Sequence, residues 1–181
     1  PSYRFDVSAF YYDYKDMQMA TYNGVAAIAT NAATSSIYGA ETQLYTLVGD
    51  SLTANIGLAY VRGEYDDYPT APFWVGGTSE LLPGESLKFF GQTFEAVERD
   101  AEGNQMQRSP KVTGNIGLQY SAALGGGTLR VGGDYFYTSK FFFDPGNQFE
   151  QDAYGLLNLS AGWTDPTDRW TMSLFGKNVL D

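Results

Sequence analysis

Lys111-Val-Thr-Gly-Asn-Ile-Gly-Leu-Gln-Tyr-Ser-Ala122 decides the fold. Its even positions read Val112, Gly114, Ile116, Leu118, Tyr120 and Ala122, and its odd positions Lys111, Thr113, Asn115, Gly117, Gln119 and Ser121. A period of two puts one set on each face of an extended strand, so one face is oily and the other wet. Leu52 to Tyr60 repeats the pattern, with Leu52, Ala54, Ile56, Leu58 and Tyr60 against Thr53, Asn55, Gly57 and Ala59. Asn55-Ile-Gly-Leu-Ala-Tyr60 and Asn115-Ile-Gly-Leu-Gln-Tyr120 are near copies.

Working outward, the same alternation predicts strands at Tyr3 to Tyr14, Leu129 to Tyr137, Ala153 to Trp163 and Trp170 to Gly176. Ser35 to Val48 is less regular, but Glu41 and Gln43 share a face. Seven strands are expected. Short connections rich in turn formers, at Gly49-Asp50-Ser51, Leu124 to Gly127 and Thr164 to Asp168, alternate with longer ones at Asn23 to Thr34, Asp66 to Arg108 and Asp144 to Gln151. In an antiparallel meander this places every long connection at one end, the pattern of bacterial outer-membrane barrels with tight periplasmic turns and long external loops. The first and seventh strands then both run outward.

Composition agrees with strands. Aromatic residues make up 16% of the chain and charged residues 18%, the latter below the usual quarter or so. Tyr and Phe suit a pleated, half-buried surface. The absence of Cys and His removes disulfides, imidazole bases and thiol nucleophiles from this stretch. A net charge of −10 with scattered Lys and Arg argues against nucleic acid as a partner. No apolar run approaches the roughly 20 residues of a membrane helix. Asp66 to Arg108 holds eight acids and three bases, so −5 of the net charge falls in one connection. Its apolar patches Phe73-Trp74-Val75 and Leu87-Lys-Phe-Phe90 predict partial order there.

Four landmarks occur in order: Thr30-Asn31-Ala-Ala33 leading to Ile37-Tyr-Gly-Ala-Glu41, then Ser109-Pro-Lys-Val-Thr113-Gly-Asn-Ile-Gly-Leu118, then Phe143-Asp-Pro-Gly-Asn147, and finally Phe175-Gly-Lys-Asn178-Val-Leu-Asp181. Together they resemble the C-terminal barrel of TonB-dependent receptors. The resemblance implies an all-β, antiparallel transmembrane meander, seven strands of a 22-stranded barrel, with residues 1–181 forming part of the barrel domain. Family members also have a plug domain, a TonB box and a further terminal strand, and this stretch shows none of them. It is therefore expected to be a fragment, and an odd strand number points the same way. By the same resemblance the chain belongs in the outer membrane of a Gram-negative bacterium and serves uptake of a ligand such as a ferric siderophore, cobalamin or carbohydrate. Expected partners are outer-membrane lipid and lipopolysaccharide, the plug domain, the TonB complex and a small-molecule ligand, with no resident cofactor and no catalysis.

Two other readings fit fewer residues. A passive porin or small outer-membrane barrel would share the alternation but lack a plug. A soluble β-sandwich adhesin would need a polar outer sheet face, which Trp163, Trp170, Met172 and Leu174 oppose.

Candidate ligand contacts in the long external connection are Tyr68, Trp74, Phe89, Phe90, Arg99 and Arg108. Arg4, Asp6, Glu41, Arg130, Asp134, Arg169 and Lys177 fall on the wet face, where they contact a plug or passing substrate or simply hydrate a polar lumen. Tyr11, Tyr12 and Tyr14, with Phe141, Phe142 and Phe143, read as an interfacial aromatic girdle. Asp13 with Asp16, and Asp66 with Asp67, are paired carboxylates in exposed loop mouths, without the desolvation that acid catalysis needs.

Overall fold

Strand alternation becomes a continuous wall. The computed structural model describes residues 2–22, 27–76, 86–89 and 92–180, with side-chain surroundings outside 19–32 and 77–96. Among these residues the strands are β1 (Ser2–Tyr22), β2 (Ala27–Val48), β3 (Leu52–Asp67), β4 (Ala71–Gly76), β5 (Ser86–Phe89), β6 (Gln92–Arg99), β7 (Val112–Leu124), β8 (Gly127–Thr138), β9 (Phe141–Phe142), β10 (Glu150–Gln151), β11 (Tyr154–Thr164) and β12 (Thr171–Gly176). Seven of them form one antiparallel sheet in the order β1-β2-β3-β7-β8-β11-β12. The wall is open, with β1 and β12 at its edges. β4-β6-β5 forms a small sheet inside the longest connection, and β9 pairs with β10 in the next.

Register fixes the two faces. One row across the wall reads Phe5, Leu44, Ile56, Ile116, Tyr135 and Leu157, and its neighbour reads Asp6, Gln43, Gly57, Asn115, Phe136 and Leu156. The first row continues as the oily face and the second as the inner one. The two near-copy stretches pair with each other about Ile56 opposite Ile116, so Asn115 stands opposite Gly57 and Asn55 opposite Gly117. The Asn115 amide fills the space where Gly57 lacks a side chain.

The short connections have the expected turn chemistry. Leu124 pairs with Gly127 across Gly125 and Gly126, both at positive φ (62° and 78°), the conformation of a type I′ hairpin that matches strand twist. The turn before β12 is organised by the Asp165 carboxylate, which accepts from the Thr167 hydroxyl and from the N–H groups of Thr167 and Trp170. Those bonds, the Thr167 hydroxyl first, hold the Asp165 carboxyl below the usual carboxylate range.

Several expectations are corrected. The first strand runs to Tyr22 rather than Tyr14, and strand resumes at Ala27 inside the stretch read as a connection over 23–34. The cause is a bulge. Asp16 has φ 54° and four residues, Tyr14 to Met17, oppose three, Ser35 to Ala33, which breaks the alternation without ending the pairing. Positions 23–26 lie outside the described residues. β3 likewise continues to Asp67. The aromatic girdle also divides. Tyr11 faces outward in line with Tyr38, whereas Tyr12 and Tyr14 share the inner face with Phe10. Arg169 lies in the turn ahead of β12 and Lys177 just past its end, so strand alternation orients neither of them.

The packed core among the described residues is displaced to the outer end. Ala33, Tyr65, Tyr68, Ala71 and Ala101 are buried together, with Met17, Phe73 and Met106 against them. The bulge in β1 delivers Met17 to this cluster, where its sulfur also accepts from the Ser35 hydroxyl. Above Val61, the partner of β3 changes from β7 to the return limb of the long connection. Tyr65 N–H donates to the Asn104 carbonyl, Gly103 N–H to Tyr65 and Met106 N–H to Gly63. Backbone groups that an edge would leave open are thereby satisfied.

Three outcomes test this architecture. In the intact protein, a single Cys at Asn115 reacts with a membrane-impermeant thiol reagent and one at Ile116 does not; equal labelling at the two positions would refute the face assignment. Gly39→Val drives a side chain against the Tyr60 carbonyl oxygen and the Phe10 ring, and lowers unfolding stability by about 1–3 kcal/mol, read from heat-dependent gel mobility. Asp165 contributes to stability above its unfolded-state pKa and loses that contribution as pH falls through its lower folded-state value. Asp165→Ala is thus less stable than the parent at neutral pH, and the two melting curves converge in acid; a constant gap would contradict the linkage.

Candidate functional site

The inner wall is the first element of the site. Arg4 and Asp6, two apart on one face, pair at 2.8 Å, and both are exposed. Glu41 stands opposite Ser8, two residues along the same face from the Asp6–Gln43 pair. A shallow trough between them is lined by Asp6, Ser8, Glu41, Gln43, Thr113 and Asn115. Asp134 accepts from the Asn158 side-chain amide nitrogen at 2.7 Å, and the Asn158 side-chain oxygen Oδ1 accepts from Asn178 N–H at 3.0 Å, tying the segment after β12 across β11 to β8. β12 ends at Gly176, and beyond the bend at Lys177 and Asn178, where Asn178 has φ 50°, Val179 N–H donates to the Leu157 carbonyl at 2.9 Å. Arg130 lies on the same inner face, opposite Gly162 and Ser121.

Aromatic rings interrupt this polar wall toward its outer end. Phe10, Tyr12 and Tyr14 stack up the inner face of β1, with centroids 5.5 Å and 6.1 Å apart. Phe136 and Tyr154 form a second inner pair at 6.5 Å. The rings of Tyr12 and Tyr14 are open to the lumen side, with half or nearly half of each residue exposed. Phe10 was absent from the sequence-derived candidates, although its parity with Arg4 and Asp6 carries the signal.

The external connection is the second element. Tyr68 was expected to contact ligand, but it is fully buried, its ring 5.2 Å from that of Tyr65, so it supports the mouth and offers no surface. Burial pushes its phenol pKa up. Trp74 is half-buried on β4. Arg99 is exposed at the end of β6, its guanidinium 5.9 Å over the Phe73 ring. Arg108 is exposed, and its N–H donates to the Phe142 carbonyl at 2.8 Å, where the two external connections meet. The backbone of Phe89 ends β5, and Phe90 lies outside the described residues. Trp74 and Arg99 thus belong to one small sheet but by register to its opposite faces, and Arg108 lies apart from it, where its backbone meets β9. Among the described residues no group of acidic side chains is arranged to hold a metal ion.

Asp144 to Gln148 joins the two connections, and sequence reasoning did not assign it a contact. The Asp144 carboxylate, nine-tenths buried, accepts from the N–H groups of Gln148 and Phe149. Gln148 and Asn147 then reach the backbones of Trp74 and Gln105.

Comparison with known proteins agrees with this geometry. The sequence matches the TonB dependent receptor-like β-barrel family over residues 1–179. The fold is similar to the ferric yersiniabactin uptake receptor FyuA from Yersinia pestis (TM-score 0.71, 21% identity), covering 99% of this chain and 22% of that one. It is also similar to BauA, the ferric preacinetobactin receptor from Acinetobacter baumannii (TM-score 0.65, 14% identity; 98% and 23% covered). A third similar structure is the siderophore receptor PiuA from Acinetobacter baumannii (TM-score 0.63, 17% identity; 89% and 20% covered). The chain spans about a fifth of the length of each. With the family matched across nearly every residue and the wall in place, this chain belongs to the TonB-dependent receptor-like β-barrel family.

Proposed function

We propose that this chain supplies part of the wall and external mouth of an outer-membrane receptor that takes up a ferric siderophore by TonB-dependent transport. The observation that carries the ligand reading is the inner aromatic ladder Phe10–Tyr12–Tyr14, set above a polar wall. Rings on a hydrated lumen gain nothing from lipid, and they offer flat apolar surface to an organic chelator entering from outside. Of the three similar structures, one is named a siderophore receptor and two are named for ferric ligands, ferric yersiniabactin and ferric preacinetobactin, which favours an iron-bearing ligand over cobalamin or carbohydrate. Trp74, Arg99 and Arg108 at the mouth are further proposed contacts. The exposed positions Arg4, Asp6, Glu41, Arg130 and Asp134 would face a plug inside the completed barrel, and the outward face would meet lipid and lipopolysaccharide. Such a receptor performs no bond chemistry, and its energy comes through TonB.

The test uses the full-length receptor. Binding to a panel of ferric catecholate, hydroxamate and phenolate siderophores identifies at least one ligand, and Phe10→Ala or Tyr12→Ala weakens it about 2- to 13-fold, from the roughly 0.5–1.5 kcal/mol of an aromatic contact. Tyr11→Ala, on the lipid face, leaves the affinity unchanged. Uptake stops in cells lacking TonB while binding persists. Uptake that continues without TonB would replace this reading with a passive porin, and binding of cobalamin or a glycan alone would replace the ligand class.

A further inference from the structure

We infer that Asn147 and Gln148 are positioning residues that set the pose of the external arm formed by the paired strands β4 (Ala71–Gly76) and β6 (Gln92–Arg99). The ligand side of this inference rests on the uptake reading above.

The argument starts from an unmet need. In the small sheet β4-β6-β5, β4 is an edge, and an edge strand presents backbone donors and acceptors with no strand beside it. The Gln148 side chain answers at one residue. Its carbonyl oxygen accepts from Trp74 N–H at 2.7 Å, and its amide nitrogen donates to the Trp74 carbonyl at 2.9 Å. Asn147 does the same for the return limb, accepting from Gln105 N–H at 3.0 Å and donating to the Gln105 carbonyl at 2.9 Å. A primary amide carries one acceptor and a donor pair, so it can match the N–H and C=O of one residue as a neighbouring strand would. A carboxylate of the same size can only accept.

The two amides therefore grip opposite limbs of one excursion, Trp74 on the way out and Gln105 on the way back. They are adjacent in sequence, so their spacing depends on the turn that carries them. That turn is itself fixed. Asn147 sits at φ 53° with its N–H on the Asp144 carbonyl, and the Asp144 carboxylate takes the next two N–H groups, from Gln148 at 3.0 Å and Phe149 at 2.7 Å. Asn104 adds a bond to the Pro145 carbonyl at 2.9 Å. Gly146 lies so near Phe73 that an added Cβ would fall 2.9 Å from the ring. The Arg99 guanidinium covers that same Phe73 ring. The turn thereby orients the residues proposed to meet the ligand, without meeting it.

The experiment is done on the full-length receptor in detergent, with nitroxide labels at Glu98 on the arm and Gln119 on the inner wall of β7, both exposed. The parent gives one narrow distance distribution. Gln148→Ala and Asn147→Ala each broaden it, and Gln148→Glu, which keeps the acceptor and loses the donor, broadens it by less. Heat-dependent gel mobility, which reports the closed barrel, stays as in the parent. Siderophore affinity, measured with the panel member that the parent binds, falls about threefold or more as the competent arm population drops. A distribution unchanged in both alanine variants overturns the inference. Broadening with unchanged affinity upholds the positioning role and removes the arm from the ligand contacts proposed above, so the two ideas fail separately.

Discussion

Each strand of the wall depends on the ladder of backbone hydrogen bonds to its neighbours. In a hydrocarbon layer no water is available, and each unpaired N–H or C=O costs several kcal/mol. The sheet order from β1 to β12 meets this demand strand by strand, and the same demand explains features beyond the membrane span. Where β7 stops accompanying β3, the return limb over 103–106 takes its place. Where β12 ends at Gly176, the chain bends at Asn178 and Val179 N–H returns to the Leu157 carbonyl of β11. Where β4 has no neighbouring strand, a glutamine side chain supplies one residue's worth of pairing.

This constraint also inverts the usual distribution of apolar residues. Tyr3, Phe5, Val7, Met172 and Leu174 lie on the outward face with more than half of their surface open, a composition suited to lipid and costly in water. The buried cluster around Tyr65 and Tyr68 forms where the chain leaves the span and must order itself by packing. The exposed ion pairs, such as Arg4 with Asp6 and Lys140 with Glu150, add little to stability because solvent screens them. They set charge along the inner surface and the mouth instead.

Most of the wall was legible because alternation is a local signal that survives without knowledge of the partner strand. Leu118, Leu129 and Leu159 were placed on the oily face by parity alone, and register agrees with each. Parity fails where a bulge intervenes, as beyond Asp16, and where a strand has ended, as at Lys177, which alternation assigns to the wet face although β12 stops at Gly176. The mouth was harder to read. Tyr68 looks like any loop aromatic until Ala101 and Tyr65 are seen around it, a contact between segments more than thirty residues apart. The roles of Asn147 and Gln148 depend on backbone geometry brought from Trp74 and Gln105, which no spacing in their own neighbourhood reveals.

The pairing of two near copies, Asn55 to Tyr60 against Asn115 to Tyr120, carries a consequence for how the chain reaches this state. A motif that complements its own repeat can also complement the same motif in a second molecule, so β3 of one unfolded chain can compete for β7 of another. What favours the intramolecular choice is local concentration, which for a short tether is of millimolar order and falls as the tether lengthens. Here the tether between Asp67 and Val112 is long in residues but folds back on itself, since Ala71 pairs with Arg99. Pairing β4 with β6 early shortens the effective loop to residues 68–70 on one limb and 100–111 on the other, and the cost of closing it falls accordingly. The external arm would then serve assembly before it serves any ligand, by keeping two interchangeable strands in the same molecule.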